Sequence, residues 1–261
     1  MNKRRIYAEF YDLEYKNKRD DVDFYYRLAK KIKGPILECG CGTGRILAPI
    51  ARLGKEIWGF DINTAMLGIA KKKIETLKVK KVKIFQDDLV KFYSPLLKNQ
   101  QFNFIFLSFD SLAYLAQKNE TYYSPEETRQ RQCKALENII SHLDKDGLFA
   151  FDLFSPNDLS KDYIMRHHFS QIIKNETWSL FSAIQIPEER IFQIHYFMEI
   201  LKMDGSIKRW HYPVSAYQAT FQEIKSLLSK VGLRPIKVYG GFNLKPYKPN
   251  SEQMIFVCRK K

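Results

Sequence analysis

The sequence predicts a doubly wound α/β domain with an inserted antiparallel β meander. Short apolar segments alternate with amphipathic helical segments up to about residue 154, which is typical of a parallel sheet covered by helices on both faces. After Pro156, long β-rich segments follow one another with turn residues between them, as antiparallel hairpins do. The helix and strand pattern returns near the end of the chain, so we expect the meander to interrupt one α/β sheet.

Each main helix is predicted from apolar residues at helical spacing, and a glycine at or beyond its last turn ends it in most cases. The predicted helices cover residues 20–33, 45–52, 64–77, 125–143 and 220–231, with Gly34, Gly54, Gly147 and Gly232 as stop signals. The predicted core strands cover 36–38, 57–61, 82–85, 102–108, 148–154, 235–239 and 254–258. The meander strands are predicted at 169–173, 178–186, 191–201 and 207–217, with turns at 187–189 and 204–205.

These elements divide the chain into three regions. Residues 1–156 form an N-terminal segment and the first part of the α/β core, 157–218 form the inserted meander, and 219–261 form a helix and strands that complete the core sheet. The length of 261 residues fits one large domain or one domain with an insertion, at roughly 150 residues per domain. Because 45% of the residues are hydrophobic, the chain can form a sizeable core.

The composition and patterning exclude several classes of protein. No apolar run reaches the roughly 18 residues of a membrane-spanning helix, and the N-terminus lacks a secretory apolar region. The four cysteines, at positions 39, 41, 133 and 258, do not have the spacing of a zinc site. We therefore expect a cytoplasmic protein with no metal site, no disulfides and no membrane partner.

The formal charge of +14 raises the prospect of an anionic partner. Much of the excess comes from lysines on what the sequence predicts to be solvated faces, such as those within 71–83. Basic residues do not alternate with aromatic residues in a compact motif. Nucleic-acid binding is thus possible but not favoured.

A glycine-rich turn, Glu38-Cys39-Gly40-Cys41-Gly42-Thr43-Gly44, lies between a predicted strand and the following helix. Glycines permit positive φ and let a ligand approach the backbone closely, so this position favours a nucleotide-type cofactor. The third glycine comes one residue earlier than in the dinucleotide fingerprint, and Arg45 stands in the expected place. A diphosphate-bearing cofactor is therefore disfavoured. A purely structural turn is the second interpretation.

Two carboxylates follow the next two strands. Asp61 ends a strand where the crevice of such a sheet places an acid against ribose hydroxyls, and its other interpretation is a helix N-cap. Asp88 can accept a hydrogen bond from an exocyclic adenine amine while the Leu89 N–H donates to the ring. Its other interpretation is a loop carboxylate.

Together these residues resemble the class I S-adenosylmethionine-dependent methyltransferases. The resemblance covers roughly residues 34–155 and rests on the following residues: Glu38 with Gly40, Gly42 and Gly44, then Phe60-Asp61, Asp87-Asp88-Leu89, the strand Phe104 to Ser108, and Gly147 before Leu148 to Asp152. The entry segment Tyr7 to Asp12 and the late insertion look like the small-molecule N-methyltransferase branch, near glycine N-methyltransferase and the amino-sugar N,N-dimethyltransferases.

The resemblance implies a Rossmann-like sheet whose last strand is antiparallel, and S-adenosylmethionine bound across the carboxyl ends of the first strands. Gly40 and Gly42 would approach the methionyl part, Asp61 the ribose, and Asp88 the adenine. Met66 would pack on the adenine, although a core position is an equal alternative. The implied cofactor-binding residues are Glu38, Gly40, Cys41, Gly42, Gly44, Asp61, Ile62, Met66, Asp87, Asp88, Leu89 and Ser108.

Three residues are candidates for the catalytic site. Methyl transfer needs alignment, exclusion of water and, for a nitrogen acceptor, a neutral amine. Related enzymes often have Asn where Asp110 stands and His where Tyr114 stands, so the chain departs from the family pattern at these positions. Asp110 could hold a cationic substrate, Tyr114 could orient it, and Tyr11 could close over the cofactor with Tyr7. Their alternatives are a turn cap, a core residue and an aromatic helix face.

We expect a methyltransferase that acts on a small molecule, with an amine nitrogen as the favoured acceptor. An RNA methyltransferase is the main alternative because of the net charge. A cofactor-binding protein without turnover and a nicotinamide-dependent oxidoreductase are further alternatives, and the glycine spacing argues against the latter. We expect the meander to cover the substrate cleft, and both a monomer and a homodimer are compatible with the sequence.

Overall fold

The structure is a computed structural model that describes residues 2–155 and 165–261. In its first half it contains α1 (Lys3–Tyr15), α2 (Asp20–Lys31), β1 (Ile36–Cys39), α3 (Leu47–Ala51), β2 (Ile57–Asp61), α4 (Thr64–Leu77), β3 (Val82–Gln86), β4 (Phe102–Leu107), the two-residue strands β5 (Gln117–Lys118) and β6 (Thr121–Tyr122), and α5 (Pro125–His142). It continues with β7 (Leu143–Phe154), β8 (Arg166–Ile173), β9 (Glu176–Glu188), β10 (Ile191–Leu201), β11 (Ile207–Tyr217), α6 (Phe221–Lys230), β12 (Leu233–Tyr239) and β13 (Gln253–Lys260).

The α/β part is built on a seven-stranded sheet with the order β12-β13-β7-β4-β1-β2-β3. β1 pairs in parallel with β2 and β4, β2 with β3, and β4 with β7. β13, the last strand of the chain, is antiparallel to both of its neighbours. The predicted fold class, with its antiparallel last strand, is therefore confirmed.

The central strands are buried on both faces, which explains their near-continuous apolar sequence. Ile36 and Leu37 of β1, and Phe104, Ile105 and Phe106 of β4, have no exposed surface. Alternate residues enter two separate hydrophobic clusters, one on each face of the sheet. Burying each such side chain stabilises the fold by about 1.5–3 kcal/mol. The carboxyl ends of these strands are consequently held in fixed relative positions.

The meander forms a separate four-stranded antiparallel sheet with the order β11-β10-β9-β8. Its inner face packs on α1 in a third hydrophobic cluster, in which the Phe10 and Trp178 rings stack with centroids 4.9 Å apart. Tyr196, Met198 and Ile200 of β10 belong to the same cluster. Because α1 also contacts α4, it lies between the meander and the α/β part of the fold.

Two predicted details were wrong. Gly147 does not end the long helix, because the extended backbone of Leu143 already ends it and Gly147 lies inside β7. A Cβ at Gly147 would lie 2.8 Å from Leu143 Cδ1 and 2.9 Å from the Asp144 carbonyl oxygen, so the glycine allows a close approach within the strand. The helix predicted at 45–52 also begins later, at Leu47, since the turn after β1 continues through Ile46.

The boundary predicted between 156 and 157 lies outside the described residues. Within the described ranges, the structure contains no helix that is both long and apolar enough to cross a membrane.

Candidate active site

A cleft lies at the carboxyl ends of β1, β2, β3 and β4. It consists of an inner cavity of about 130 Å³ and an outer cavity of about 450 Å³. The two cavities are contiguous, because six residues line both of them: Tyr7, Gly40, Asp61, Met66, Ser111 and Tyr114. α1 and the meander contribute to the walls through Tyr7, Tyr196 and Tyr212.

The glycine turn after β1 forms one wall of the inner cavity. The backbone N–H groups of Gly40 and Cys41 both donate to the Phe60 carbonyl oxygen, at 2.8 Å, and this fixes the turn against β2. Gly42 has φ +52°, and a Cβ built on it would meet no atom within 4 Å, so it faces open space. Gly44 has φ +74°, and its Cβ would lie 3.1 Å from Ala70 Cβ of α4. Gly44 therefore permits helix packing and does not line the cleft.

Asp61 connects the glycine turn to the tip of β2. Its Oδ2 accepts a hydrogen bond from the Gly42 N–H at 2.9 Å, and its Oδ1 accepts one from the Asn63 N–H at 2.8 Å. Burial raises the pKa of the Asp61 carboxyl, and these N–H donors oppose the rise. The N-cap of α4 is Asn63, whose Oδ1 accepts from Ala65 N–H at 3.0 Å. Asp61 is thus free of a capping role and lines both cavities.

The two acids after β3 have different surroundings. Asp87 is fully buried and organises the following loop, because its Oδ1 accepts from the N–H groups of Asp88 and Tyr93 at 2.7 and 2.9 Å. Asp88 is half-buried and its Oδ1 accepts from the Val90 N–H at 2.7 Å. The outer cavity is lined by both acids and by the predicted Ile62 and Leu89.

The inner cavity is lined by the buried carboxyl group of Glu38 and by the largely buried guanidinium group of Arg45. Glu38 Oε1 accepts from the Ser108 hydroxyl at 3.3 Å, whereas Oε2 has no hydrogen-bond partner among the described residues. Burial raises the pKa of the Glu38 carboxyl to about 8, although Arg45 and Ser108 oppose the rise. Arg45 Nε likewise has no partner within the part of the chain that the structure describes.

Arg45 is fixed by a bidentate ion pair with Asp21 of α2. The two guanidinium–carboxylate distances are 2.7 and 2.6 Å, and Asp21 is completely buried. The guanidinium also lies 5.4 Å from the centre of the Phe109 ring. The sequence did not single out Arg45 as a site residue. The sequence shows that Arg45 directly follows Gly44, but no sequence pattern indicates that it pairs with Asp21, 24 residues earlier.

A group of tyrosines surrounds the junction of the two cavities. The Tyr7 ring stacks on Tyr212 at 4.5 Å and lies 5.5 Å from Tyr196. Burial raises the pKa of Tyr7 and Tyr114 well above the usual value, and it also raises the pKa of Tyr11. These phenols stay protonated at neutral pH, so they can donate hydrogen bonds but cannot act as bases.

The predicted site residues do not all meet in the cleft. Tyr11, Cys41 and Ser108 line the inner cavity, whereas Asp110 lines neither cavity. Asp110 is buried at φ +63°, and its Oδ1 accepts from the Phe154 N–H at 3.2 Å. Burial and the nearby Asp152 raise its pKa to about 8. The structure therefore places Asp110 behind the wall, where it joins the loop after β4 to the end of β7.

Comparisons with known proteins agree with this architecture. The methyltransferase-domain family matches residues 36–125. The putative methyltransferase GWCH70_2453 of Geobacillus sp. (strain WCH70) is 26% identical over 234 residues, which are 86% of this chain and 84% of that protein.

Solved structures share the fold at low sequence identity. An S-adenosylmethionine-dependent methyltransferase from Clostridium acetobutylicum ATCC 824 has a TM-score of 0.76 at 17% identity, with 97% of both chains covered. The sugar N-methyltransferase KedS8 from Streptoalloteichus sp ATCC 53650 has a TM-score of 0.72 at 16% identity, covering 96% of this chain and 93% of KedS8. The chain thus contains a methyltransferase domain and shares its fold with S-adenosylmethionine-dependent methyltransferases.

Proposed function

We propose that the chain transfers the methyl group of S-adenosylmethionine to an amine nitrogen of a small molecule. One observation carries the cofactor part of this proposal. Glu38 Oε2 and Arg45 Nε, two buried polar atoms without partners among the described residues, lie in the same inner cavity beside the glycine turn. A buried polar atom without a partner is unfavourable in the free protein. The amino-acid end of the cofactor would supply an ammonium for Glu38 and a carboxylate for Arg45.

The outer cavity would take the adenosine. Asp61 has lone pairs beyond those that accept from the two backbone N–H groups, and these would accept from the ribose hydroxyls. Asp88 and Leu89 would contact the adenine edge, with Ile62 and Met66 against its faces, as the resemblance implies. Asp87 would act indirectly, by holding the loop that carries Asp88.

The residues of this chain would contribute alignment and exclusion of water. The sulfonium of S-adenosylmethionine supplies an already activated methyl group. The amine lone pair forms the new N–C bond, the C–S bond breaks with its electrons going to sulfur, and the product ammonium loses a proton to solvent. Tyr7 and Tyr114 line both cavities and Tyr11 lines the inner one, and their phenol groups would orient the acceptor.

The tyrosine environment supports a neutral amine as the acceptor. Transfer of a cation out of water lowers the pKa of an amine, so a largely desolvated site favours binding of the unprotonated form. The fold shared with KedS8, a sugar N-methyltransferase, supports the same acceptor class. We also propose that residues 157–218 cover the substrate. In sequence they separate the segments 1–156 and 219–261, which would together form the core.

Cations in the outer cavity suggest a further property of the acceptor. Arg4, Lys118 and Arg131 line it, and within the described ranges none of them forms an ion pair with a carboxylate. Arg131 is held in place because its Nε donates to the Leu115 carbonyl oxygen at 3.0 Å and its guanidinium lies 4.2 Å from the Tyr123 ring centre. These charges favour an acceptor that carries an anionic group as well as an amine.

The test is a screen for acceptor-dependent release of S-adenosylhomocysteine. It compares primary and secondary amines, with and without a phosphate group, and includes alcohols and RNA. We expect turnover with amines and a lower KM for the phosphorylated members, with Arg131→Gln removing that KM difference at unchanged S-adenosylhomocysteine affinity. Turnover with alcohols or RNA but not with amines would contradict the proposed acceptor class.

A further inference from the structure

A separate cavity, of about 580 Å³, lies at the amino ends of β1, β2 and β3, on the side opposite to the active-site cleft. It is formed by the segments that precede β1, β2 and β3 and by residues at the start of β2 and β3. It shares no residue with the two cavities of the cleft. Methyl transfer therefore does not account for its chemistry.

The lining of this cavity is strongly basic. Five lysines contribute to it, namely Lys33, Lys55, Lys80, Lys81 and Lys83. Within the described ranges, none of the five forms an ion pair with a carboxylate. Glu56 is the sole acid of the lining, and its Oε1 already accepts from Trp58 Nε1 at 2.8 Å. The positive charges are thus concentrated and largely uncompensated.

Two of the lysines have defined positions. Lys55 Nζ donates to the Ile32 carbonyl oxygen, and Lys83 Nζ lies 3.8 Å from the centre of the Trp58 ring. Trp58 is only 3% exposed, so its ring cannot serve as a stacking platform for a base. The cavity can therefore hold charged groups but offers no aromatic surface for reading bases.

The shape and the uncharged part of the lining narrow the class of ligand. A concave site suits a flexible chain of phosphates better than the flat surface of a lipid bilayer. The cavity also has an uncharged part, which is formed by Gly34, Pro35 and Val82. A Cβ built on Gly54 would meet no atom within 4 Å, so the space beside Gly54 is open. The uncharged part can accommodate sugar rings, which inorganic polyphosphate lacks.

We propose that this cavity binds the sugar-phosphate backbone of single-stranded nucleic acid without base preference. The lysines neutralise successive phosphates and release their counterions, so affinity depends steeply on salt. With four to five phosphates neutralised, the logarithm of the association constant falls with the logarithm of salt concentration with a slope of about −3. This cavity lies at the amino ends of the strands, whereas the cleft lies at their carboxyl ends. Nucleic acid bound in this cavity is therefore not the methyl acceptor.

The experiment measures binding of a fluorescent 15-nucleotide oligo(U) by anisotropy from 25 to 300 mM salt. The test variant combines Lys33→Gln, Lys80→Gln, Lys81→Gln and Lys83→Gln. The matched control removes the same charge from exposed lysines elsewhere, with Lys98→Gln, Lys145→Gln, Lys208→Gln and Lys237→Gln. Thermal unfolding shows that each protein is folded, and calorimetric titration with S-adenosylhomocysteine tests the proposed function separately.

We expect the test variant to lose at least ten-fold in oligo(U) affinity at low salt and most of the salt slope, while the control stays within about three-fold of the parent. Equal losses in both variants would overturn the proposal, because net charge would then explain the binding. Binding of inorganic polyphosphate or anionic vesicles by a protein that does not bind oligo(U) would overturn it as well.

Discussion

The backbone N–H of Gly42 donates a hydrogen bond to Asp61 Oδ2 at 2.9 Å, which joins the glycine turn after β1 to the tip of β2. The other carboxylate oxygen accepts from the Asn63 N–H at 2.8 Å. The carboxylate is thereby held in one orientation before any ligand binds, so little ordering is left to the binding step. Because each carboxylate oxygen can accept more than one hydrogen bond, capacity remains for sugar hydroxyls.

Glu38 gives a prediction about proton release. The Glu38 carboxyl has a pKa of about 8 in the free protein, so it is mostly protonated at pH 7. A bound ammonium lowers that pKa, and S-adenosylhomocysteine binding at pH 7 should release close to one proton. The affinity should accordingly rise with pH up to about pH 8. Calorimetry in buffers of different ionisation enthalpy measures the release.

Glu38→Gln should abolish this proton release, whereas Glu199→Gln, on the meander, should leave it unchanged. Equal release from the parent protein and from Glu38→Gln would show that another group titrates.

Arg45→Lys gives a prediction about stability and binding together. The substitution keeps the charge but loses the bidentate pair with buried Asp21, and we expect a loss of about 2–4 kcal/mol in the free energy of unfolding. Affinity for S-adenosylhomocysteine should also fall. Denaturant unfolding and calorimetry measure the two effects. The control is Arg190→Lys. Because the Arg190–Glu223 ion pair is about one-third exposed, this substitution should lower the free energy of unfolding by less than about 1 kcal/mol.

Tyr114→Phe separates chemistry from cofactor binding. The substitution removes one phenol from the junction of the two cavities, so kcat should fall about ten-fold or more while S-adenosylhomocysteine affinity stays within about two-fold. Steady-state kinetics with an amine identified in the screen provides the comparison. Tyr247→Phe, which lies far from the cleft against Phe221, is the control. If Tyr114→Phe leaves kcat unchanged, Tyr114 has no part in orienting the acceptor.

A glycine in the turn after β1, Gly44, and a glycine within α4, Gly68, should respond to alanine substitution in opposite directions. Gly44→Ala places a Cβ at φ +74° and 3.1 Å from Ala70 Cβ, and it should destabilise the fold by about 1–3 kcal/mol. Gly68→Ala lies on an exposed face of α4 with nothing within 4 Å of the new Cβ, and it should stabilise by up to about 1 kcal/mol. Thermal unfolding measures both, and a stabilised Gly44→Ala would contradict the packing role of Gly44.

The sequence predicted those parts of the fold that local signals define. The strand 57–61 and the helix 64–77 have the predicted bounds, because an apolar run ends at Asp61 and Asn63 caps the helix. The predicted helix end at Gly147 was wrong, because a single sequence does not distinguish a glycine inside a strand from a glycine that follows a helix. The Asp21–Arg45 pair and the placement of Asp110 behind the cleft depend on how distant elements pack, and no local pattern encodes that packing.

The central claim is that Asp61, at the tip of β2, binds the ribose of the cofactor beside the glycine turn. Calorimetric titration of S-adenosylhomocysteine into the parent protein and into Asp61→Ala tests it most directly, with Asp204→Ala in an exposed turn as the control. We predict that Asp61→Ala raises the Kd by roughly 30-fold or more, equivalent to about 2 kcal/mol, and that Asp204→Ala leaves it unchanged. An unaltered Kd in a folded Asp61→Ala protein would contradict the claim.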